Sequence, residues 1–344
     1  MAKILYCGIH SILEYEELKL LTELGHDCFS LEGAYADPKG HHTLPRPGIP
    51  NMTYHEDWHR RSKEFPRTDI PMDFIDSFDI IIVTGGYHDV SVISNNWKRF
   101  SKKKVIWRSI GQSVPTTEAG LAPFKQQGLK VVRYSPKERL ITNFMGEDAC
   151  IRFYKEPEEY KDWNGNTNKV ITIAQSLKGR GNFCHYVEIM EIMKDLPAKI
   201  YGNGNEDLGI LNGGAPDYLH LKEVLRDNRV FVYGGTWPAP YTLSFMEALI
   251  TGIPVVALGK NIAQNPHGIG NSDKFEFYEV HEFLKHGING YVSDSVQELR
   301  RYVELLLSDH SLAKKIGEAG RILAQDLFSK DKIKESWRVF LESL

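Results

Sequence analysis

The 344-residue sequence is poor in cysteine, in long apolar runs and in net charge. Its four cysteines (Cys7, Cys28, Cys150 and Cys184) are scattered, with no CxxC pair and no His/Cys cluster at ligand spacing. That excludes a disulfide-framed or zinc-knit domain and predicts four free thiols in a reducing compartment. No apolar stretch reaches the ~18 residues that a membrane span needs. The opening MAKILYCGIH has one lysine, a short apolar run and no small-residue cleavage site, so it is expected to be a first strand and not a leader. Together these features predict a cytoplasmic protein. The formal charge is -3, so no global field draws the chain to nucleic acid or membrane. No Asp-x-Asp run stands at a strand end, and no metal site is expected.

What is present is a repeated strand-and-helix rhythm. Lys3 to Gly8 is an apolar run ending in glycine, and leucines at 18, 21 and 24 follow at near-helical spacing until Gly25. Residues Gly33 to Pro71 carry six prolines and four histidines without a period, and read as a long irregular excursion. His41, His42, His55 and His59 lie there at no ligand spacing. Regular strands resume at Phe78–Val83, Lys104–Arg108 and Leu129–Tyr134, the last followed by a Ser-Pro-Lys-Glu helix start at Ser135. The polar, turn-rich stretch from Tyr154 to Asn168 reads as a linker. A second series follows, with strands near 169–174, 198–201, 229–233, 253–258 and 290–292, then a helical tail from Ser311. Short β-branched strands alternating with helices imply parallel sheets covered on both faces. The length suits two such domains. The expected division is 1–165, 166–326, and a helix over 327–344 packing back on the first domain.

The most informative stretch is Tyr233 to Gly259, YGGTWPAPYTLSFMEALITGIPVVALG. A strand ends in Gly-Gly, a proline-rich loop leads to a helix starting near Thr242, and Pro254 opens the next strand. The first amides of such a helix, at Thr242, Leu243 and Ser244, present unpaired N–H groups and a partial positive charge to an anion. Glu247, about one and a half turns in, can face ribose hydroxyls. On the residues alone a second reading stands beside this one: Thr242 caps a helix and Glu247 lies on its solvated face.

This segment resembles the signature of the retaining family-4 glycosyltransferases of GT-B fold, which has the form E-G-F-G-x-x-x-x-E-A-M-A-x-G-x-P-V-V. Phe245 to Val256 matches its second half, and the second Glu falls on Glu247, which the resemblance assigns to the nucleotide ribose. The first Glu, a sugar-gripping residue, falls on Ala239. The family's R-L-x-x-x-K-G block is similar to Gln175–Gly181. Arg180 then takes the diphosphate-binding Lys position, with Gln175 in place of the Arg and Lys178 as a further cation. Arginine can hold a phosphate bidentately. Tyr201-Gly202-Asn203-Gly204 resembles the close-approach loop near the base, and Glu282 to Val292 resembles a further Glu- and Gly-containing segment. The likeness covers about 170–344. It implies α/β architecture with two facing Rossmann-like domains around a cleft, and a nucleoside diphosphate sugar, UDP-sugar foremost, as donor with no other cofactor.

In the first half only Leu24-Gly25-His26-Asp27 and the strand rhythm match. By the same resemblance the loop at Gly8 nears the donor phosphates. His88, within Gly-Gly-Tyr-His-Asp, is the expected group near the acceptor hydroxyl; an ordinary loop histidine is the competing reading. Between Lys98 and Arg139 eleven basic residues face two acids, Glu118 and Glu138. Gathered on one face, they would favour an anionic acceptor such as DNA or a phosphorylated glycan. A solvated edge with no partner would read the same. Three functions therefore stand: transfer to a glycan or lipid-linked glycan, transfer to a hydroxylated DNA base, and a non-catalytic nucleotide-binding module. The last is motivated by Ala239 and Gln175.

Overall fold

The computed structural model describes residues 1–31, 48–86, 89–264 and 277–344, and statements of absence below refer to these described residues. They form two compact units, Met1–Tyr154 with Lys330–Leu344, and Lys155–Ser329. Each unit is built on a six-stranded parallel sheet. All four cysteines are free thiols, and no helix is long and apolar enough to cross a membrane.

In unit 1 the strands are β1 (Lys3–Cys7), β2 (Asp27–Ser30), β3 (Ile80–Gly85), β4 (Lys104–Ser109), β5 (Lys130–Arg133) and β6 (Ala149–Cys150), in the order β2-β1-β3-β4-β5-β6. The apolar runs met in the sequence are the central strands. Ile4, Leu5, Ile81, Ile82, Ile106 and Trp107 are fully buried, as a sheet covered on both faces requires. Helices α1 (Ser11–Glu23), α2 (Glu56–Ser62), α3 (Met72–Ile75), α4 (Val90–Phe100) and α5 (Pro115–Gln126) surround it. Ser135 and Glu138 form a capping box at the 3-10 turn Pro136–Leu140.

In unit 2 the strands are β7 (Thr167–Ile173), β8 (Ala198–Tyr201), β9 (Asn212–Gly214), β10 (Asn228–Tyr233), β11 (Val255–Leu258) and β12 (Tyr291–Ser293), in the order β12-β11-β10-β7-β8-β9. The helices are α6 (Leu177–Arg180), α7 (Tyr186–Met193), α8 (Tyr218–Asp227), α9 (Leu243–Thr251), α10 (Lys260–Gln264), α11 (Val280–Phe283), α12 (Val296–Ser308) and α13 (His310–Leu327). The tail is two helices, α13 and α14 (Lys330–Glu342). Phe328, buried against Tyr241 and Phe283, ends α13, and α14 then packs on α1 in unit 1.

Residues 155–165 fold into unit 2 and do not form a solvated linker. Lys155 and Tyr160 are buried, Trp163 Nε1 donates to the Asn228 carbonyl at 2.9 Å, and Arg321 of α13 donates to the carbonyls of Pro157, Tyr160 and Ile250. The boundary accordingly falls at Tyr154/Lys155, and Lys330 starts the return to unit 1.

Candidate functional site

Strand order locates a crevice in each unit. In unit 2 the chain runs from β7 to β8 and β9 on one side, then from β10 to β12 on the other. The loops after the adjacent strands β7 and β10 therefore diverge, which is the switch point at which open α/β sheets hold ligands. The loop after β7 carries Lys178 and Arg180; the loop after β10 leads into α9. The two loops touch: the Trp237 N–H donates to the Phe183 carbonyl at 2.8 Å, and the two rings pack at 5.7 Å. The Cys184 thiol lies 3.9 Å from the Thr236 hydroxyl.

At the start of α9, Thr242 is extended (φ -123°) and its hydroxyl meets that of Ser244 at 3.0 Å, so no side chain caps the helix. The amides of Phe245 and Met246 turn back to the Thr242 carbonyl. Those of Leu243 and Ser244 find no acceptor among the described residues, and both residues are half-buried. They are two of the four orphan donors every helix start carries, and they favour an anion. Behind them, burial raises the Tyr233 phenol while Thr242 opposes the shift.

Arg180 ends α6, half-buried, and its guanidinium makes no hydrogen bond or ion pair among the described residues. Its charge is felt at Cys184, where burial pushes the thiol up and Arg180 opposes it. Lys178 is exposed and pairs loosely with Asp207 at 3.5 Å. Of the two cations, Arg180 is the one left available at the crevice.

The loops after β7 and β8 are joined by Asn205, which is fully buried. Its amide donates to the carbonyls of Ala174 (2.7 Å) and Gly202 (3.0 Å), and its oxygen accepts from the Leu177 N–H at 2.8 Å. Ser176 is held in the left-handed region (φ 43°), which costs a non-glycine residue roughly 1–2 kcal/mol. Gly202 has φ 133°, and a Cβ there would lie 2.5 Å from the Ala174 carbonyl, so the close-approach position admits only glycine. Asn205 has no marker in the sequence beyond its place in a Gly-Asn-Gly-Asn run.

Glu247 is not a solvated helix-face residue. It is 4% exposed. Its Oε1 accepts from Lys155 Nζ at 2.8 Å and from the Tyr160 hydroxyl at 3.1 Å, and the Lys155 side chain is itself sealed from solvent. Oε2 has no hydrogen bond among the described residues and is not fully sealed. The sequence concealed both partners of Oε1, because they lie in the polar stretch that reads as a linker.

Two further residues lie on the elements beside the start of α9, where the Glu279 N–H donates to the Pro240 carbonyl at 3.0 Å. Glu282 is exposed on α11, which packs on β11, with a carboxylate oxygen 3.7 Å from His281 Nε2. Ala239 is 7% exposed and lines a cavity of about 10 Å³ with His185, Thr236, Trp237 and Tyr278. That space holds at most one water molecule and has no room for a sugar.

In unit 1 the switch point lies between β1 and β3. Gly8 follows β1, and a Cβ there would run into the Glu14 carboxylate. Arg67 joins the two loops: it donates to the Gly8 carbonyl at 3.2 Å and pairs with Asp89 at 2.8 Å. The other Asp89 oxygen takes the Gly86 N–H at 3.1 Å. Asp89 thus holds loop geometry. His88 and Tyr87 lie outside the described residues, as do His41 and His42. A groove of about 930 Å³ opens at the opposite edge of unit 1, beside Leu24, Ile80, Lys102 and Leu341. It is far from either strand C-terminus and is not the candidate site.

The basic stretch does not gather on one face. Arg108 and Arg133 are fully buried. Arg108 pairs with Glu17 at 2.7 Å, and Arg133 forks onto Glu118 with both bonds at 2.7 Å. Lys125 and Lys130 share Asp148, Arg139 pairs with Glu147, Arg99 with Asp69, and Lys103 with Asp76. Seven of the eleven pair with acids, six of them with acids outside the stretch. No group of three or more metal-ligating side chains occurs among the described residues.

No family model matches the chain, and neither does any curated protein. Solved structures do match along its whole length. Anabaena HepE, in complex with UDP and glucose, superposes with TM-score 0.69 at 15% identity, covering 100% of both chains. Sucrose-phosphate synthase from Thermosynechococcus elongatus gives 0.66 at 13%, covering 100% of this chain and 99% of the other. An alpha-glucosyltransferase in complex with UDP and a 13-mer DNA containing an HMU base gives 0.56 at 10%, covering 97% and 99%. The fold is therefore that of the GT-B glycosyltransferases, with two Rossmann-like domains. At these identities the likeness speaks to fold.

Proposed function

We propose that this chain is a glycosyltransferase that moves a sugar from a UDP-sugar to an acceptor hydroxyl, with retention of anomeric configuration. The observation that carries the proposal is the unit 2 switch point. There an unpaired Arg180 and the open amides of Leu243 and Ser244 flank one crevice. Opposed phosphate oxygens would satisfy both. As the bond to the sugar breaks, negative charge grows on the leaving diphosphate, and preorganised donors stabilise it without reorganising. Lys178 adds a mobile, screened charge. Glu247 Oε2 accepts from a ribose hydroxyl, and Gly202 lets the base approach the backbone. The diphosphate itself takes part in removing the acceptor proton. Unit 1 is the acceptor-binding unit in this reading, with His88 as the group that polarises the acceptor hydroxyl. The similarity to structures with UDP bound supports the choice of nucleotide.

The acceptor is a glycan, a lipid-linked glycan or a hydroxylated DNA base. The similarity to a DNA-bound glucosyltransferase favours DNA. The paired state of Arg108, Arg133, Lys125, Lys130 and Arg139 removes the charge argument for it. The test is incubation of the protein with UDP-sugars and both acceptor types, with the product anomer read by NMR. Transfer with retention, abolished in Arg180→Ala, is the expected outcome. Tight UDP binding with no consumption of donor on any acceptor or on water would instead favour a non-catalytic nucleotide-binding module, as the replacement of the family's polar pair by Ala239 and Gln175 would allow.

A further inference from the structure

The Glu247 carboxylate is divided between two tasks. Oε1 is fixed by two donors from one segment, Lys155 Nζ at 2.8 Å and the Tyr160 hydroxyl at 3.1 Å. Oε2 makes no hydrogen bond among the described residues and is not fully sealed. Lys155 Nζ also lies 5.7 Å from the Tyr160 ring centroid, so these three side chains form one packed group. The backbone around them is held as well, since Arg321 donates to the Tyr160 carbonyl on one side and to the Ile250 carbonyl of α9 on the other.

A carboxylate on a helix has several staggered rotamers. A cation and a hydroxyl on one oxygen leave a single orientation for the other. A sealed ammonium is a costly device for fixing a rotamer, because taking a charge out of water is unfavourable unless it is paired. Purely apolar packing at this position would serve stability as well or better. An anchored carboxylate with one open oxygen suits recognition of a hydroxyl, because an acceptor already aimed loses little freedom on binding.

We infer that Lys155 and Tyr160 are positioning residues that set the donor site's preference for ribonucleotides over 2′-deoxyribonucleotides, by holding Glu247 with Oε2 presented to the ribose. The inference rests on the donor-site reading of unit 2. It makes selectivity a property of the 155–160 segment as well as of α9. It also distinguishes two parts of the site. Arg180 and the α9 amides read phosphate, and the Lys155–Tyr160–Glu247 group reads sugar hydroxyls.

The test is calorimetry on the full chain with UDP, 2′-deoxy-UDP and inorganic pyrophosphate. A hydrogen bond to a charged group corresponds to about 10- to 100-fold in affinity, so the wild type should prefer UDP over 2′-deoxy-UDP by about that ratio. Lys155→Met should bring the ratio to within about twofold of unity while leaving pyrophosphate affinity unchanged. Glu247→Gln should show the same reduced ratio, and the double variant no further loss. Tyr160→Phe, which removes one oxygen from a retained ring, should lower the ratio partially, and it decides the question if Lys155→Met does not fold. A wild-type ratio near one, or a wild-type ratio preserved in Lys155→Met and Tyr160→Phe, overturns the inference. Failure of the wild type to bind UDP or pyrophosphate at all is a different result: it overturns the donor-site reading itself.

Discussion

Replacing Arg108 by methionine tests whether the basic stretch builds the fold or binds a partner. Arg108 is fully buried on β4. Its Nε donates to Glu17 at 2.7 Å, and Nη1 donates to the carbonyls of Arg133 (3.1 Å) and Ile151 (2.6 Å). Its guanidinium carbon sits 4.0 Å from the Phe153 ring centroid and 5.5 Å from that of Trp337 on α14. Methionine fills most of the volume but leaves Glu17 with only the Tyr6 hydroxyl and the Ile151 carbonyl without the Arg108 donor, while the Arg133 carbonyl keeps the Ile151 N–H. Removing one partner of a buried ion pair costs about 3–5 kcal/mol. In a unit of this size each kcal/mol moves the melting temperature by about 2–4 °C, so a fall of roughly 6–20 °C is expected. Urea unfolding followed by tryptophan fluorescence should give the same loss. The exposed, unpaired Lys102→Ala should stay within about 0.5 kcal/mol of wild type. An Arg108→Met protein less than about 1 kcal/mol destabilised would refute the burial argument and return Arg108 to the surface as a partner-binding group.

Other expectations follow from the same geometry. Arg180→Ala should weaken UDP binding by about 10- to 100-fold, the range for a charge-assisted hydrogen bond, while uridine binding changes little; equal losses for both in calorimetry would place Arg180 away from the phosphates. Gly202→Ala should destabilise unit 2 by about 1–3 kcal/mol, because its φ and the Ala174 carbonyl both oppose a Cβ; an unchanged melting temperature would contradict that. At Glu23, burial raises the carboxyl pKa, but hydrogen bonds from Lys330 and Lys334 outweigh it and hold the pKa below its ordinary value of 4.5. A depressed carboxyl contributes stability that is present above its unfolded pKa and is lost as pH falls through the folded one. The contact of α14 with α1 should therefore loosen below the ordinary glutamate range. Hydrogen exchange in α14 that rises with acid in the wild type but not in Glu23→Gln would show this, and identical profiles would refute it.

The parallel sheets were legible because buried strands such as FDIIIV and RVFVY are continuous apolar runs closed by glycine, and helices of ordinary length separate them. β6 and β9 were not, because two- and three-residue strands such as Asn212–Gly214 carry no hydrophobic pattern. The crevice-facing ends of β7 and β10 could be placed from Arg180, Thr242 and Glu247. What could not be read was pairing over long sequence distance. Lys155 finds Glu247, and Arg108 finds Glu17, across many intervening residues. A charge count in a window registers Lys125 and Lys130 but not Asp148, which pairs with both.

The donor site of unit 2 is tested most directly by a thermal-shift screen of the wild type against UDP-, GDP-, ADP- and CMP-sugars, hexoses and pentoses included. A ligand at about 100 times its dissociation constant stabilises the fold by about 2.7 kcal/mol, several degrees in melting temperature. The account predicts a shift selective for UDP-sugars that falls by about half or more in Arg180→Ala at the same concentration, as a 10- to 100-fold loss of affinity requires. Equal melting temperatures with every nucleotide-sugar would contradict it.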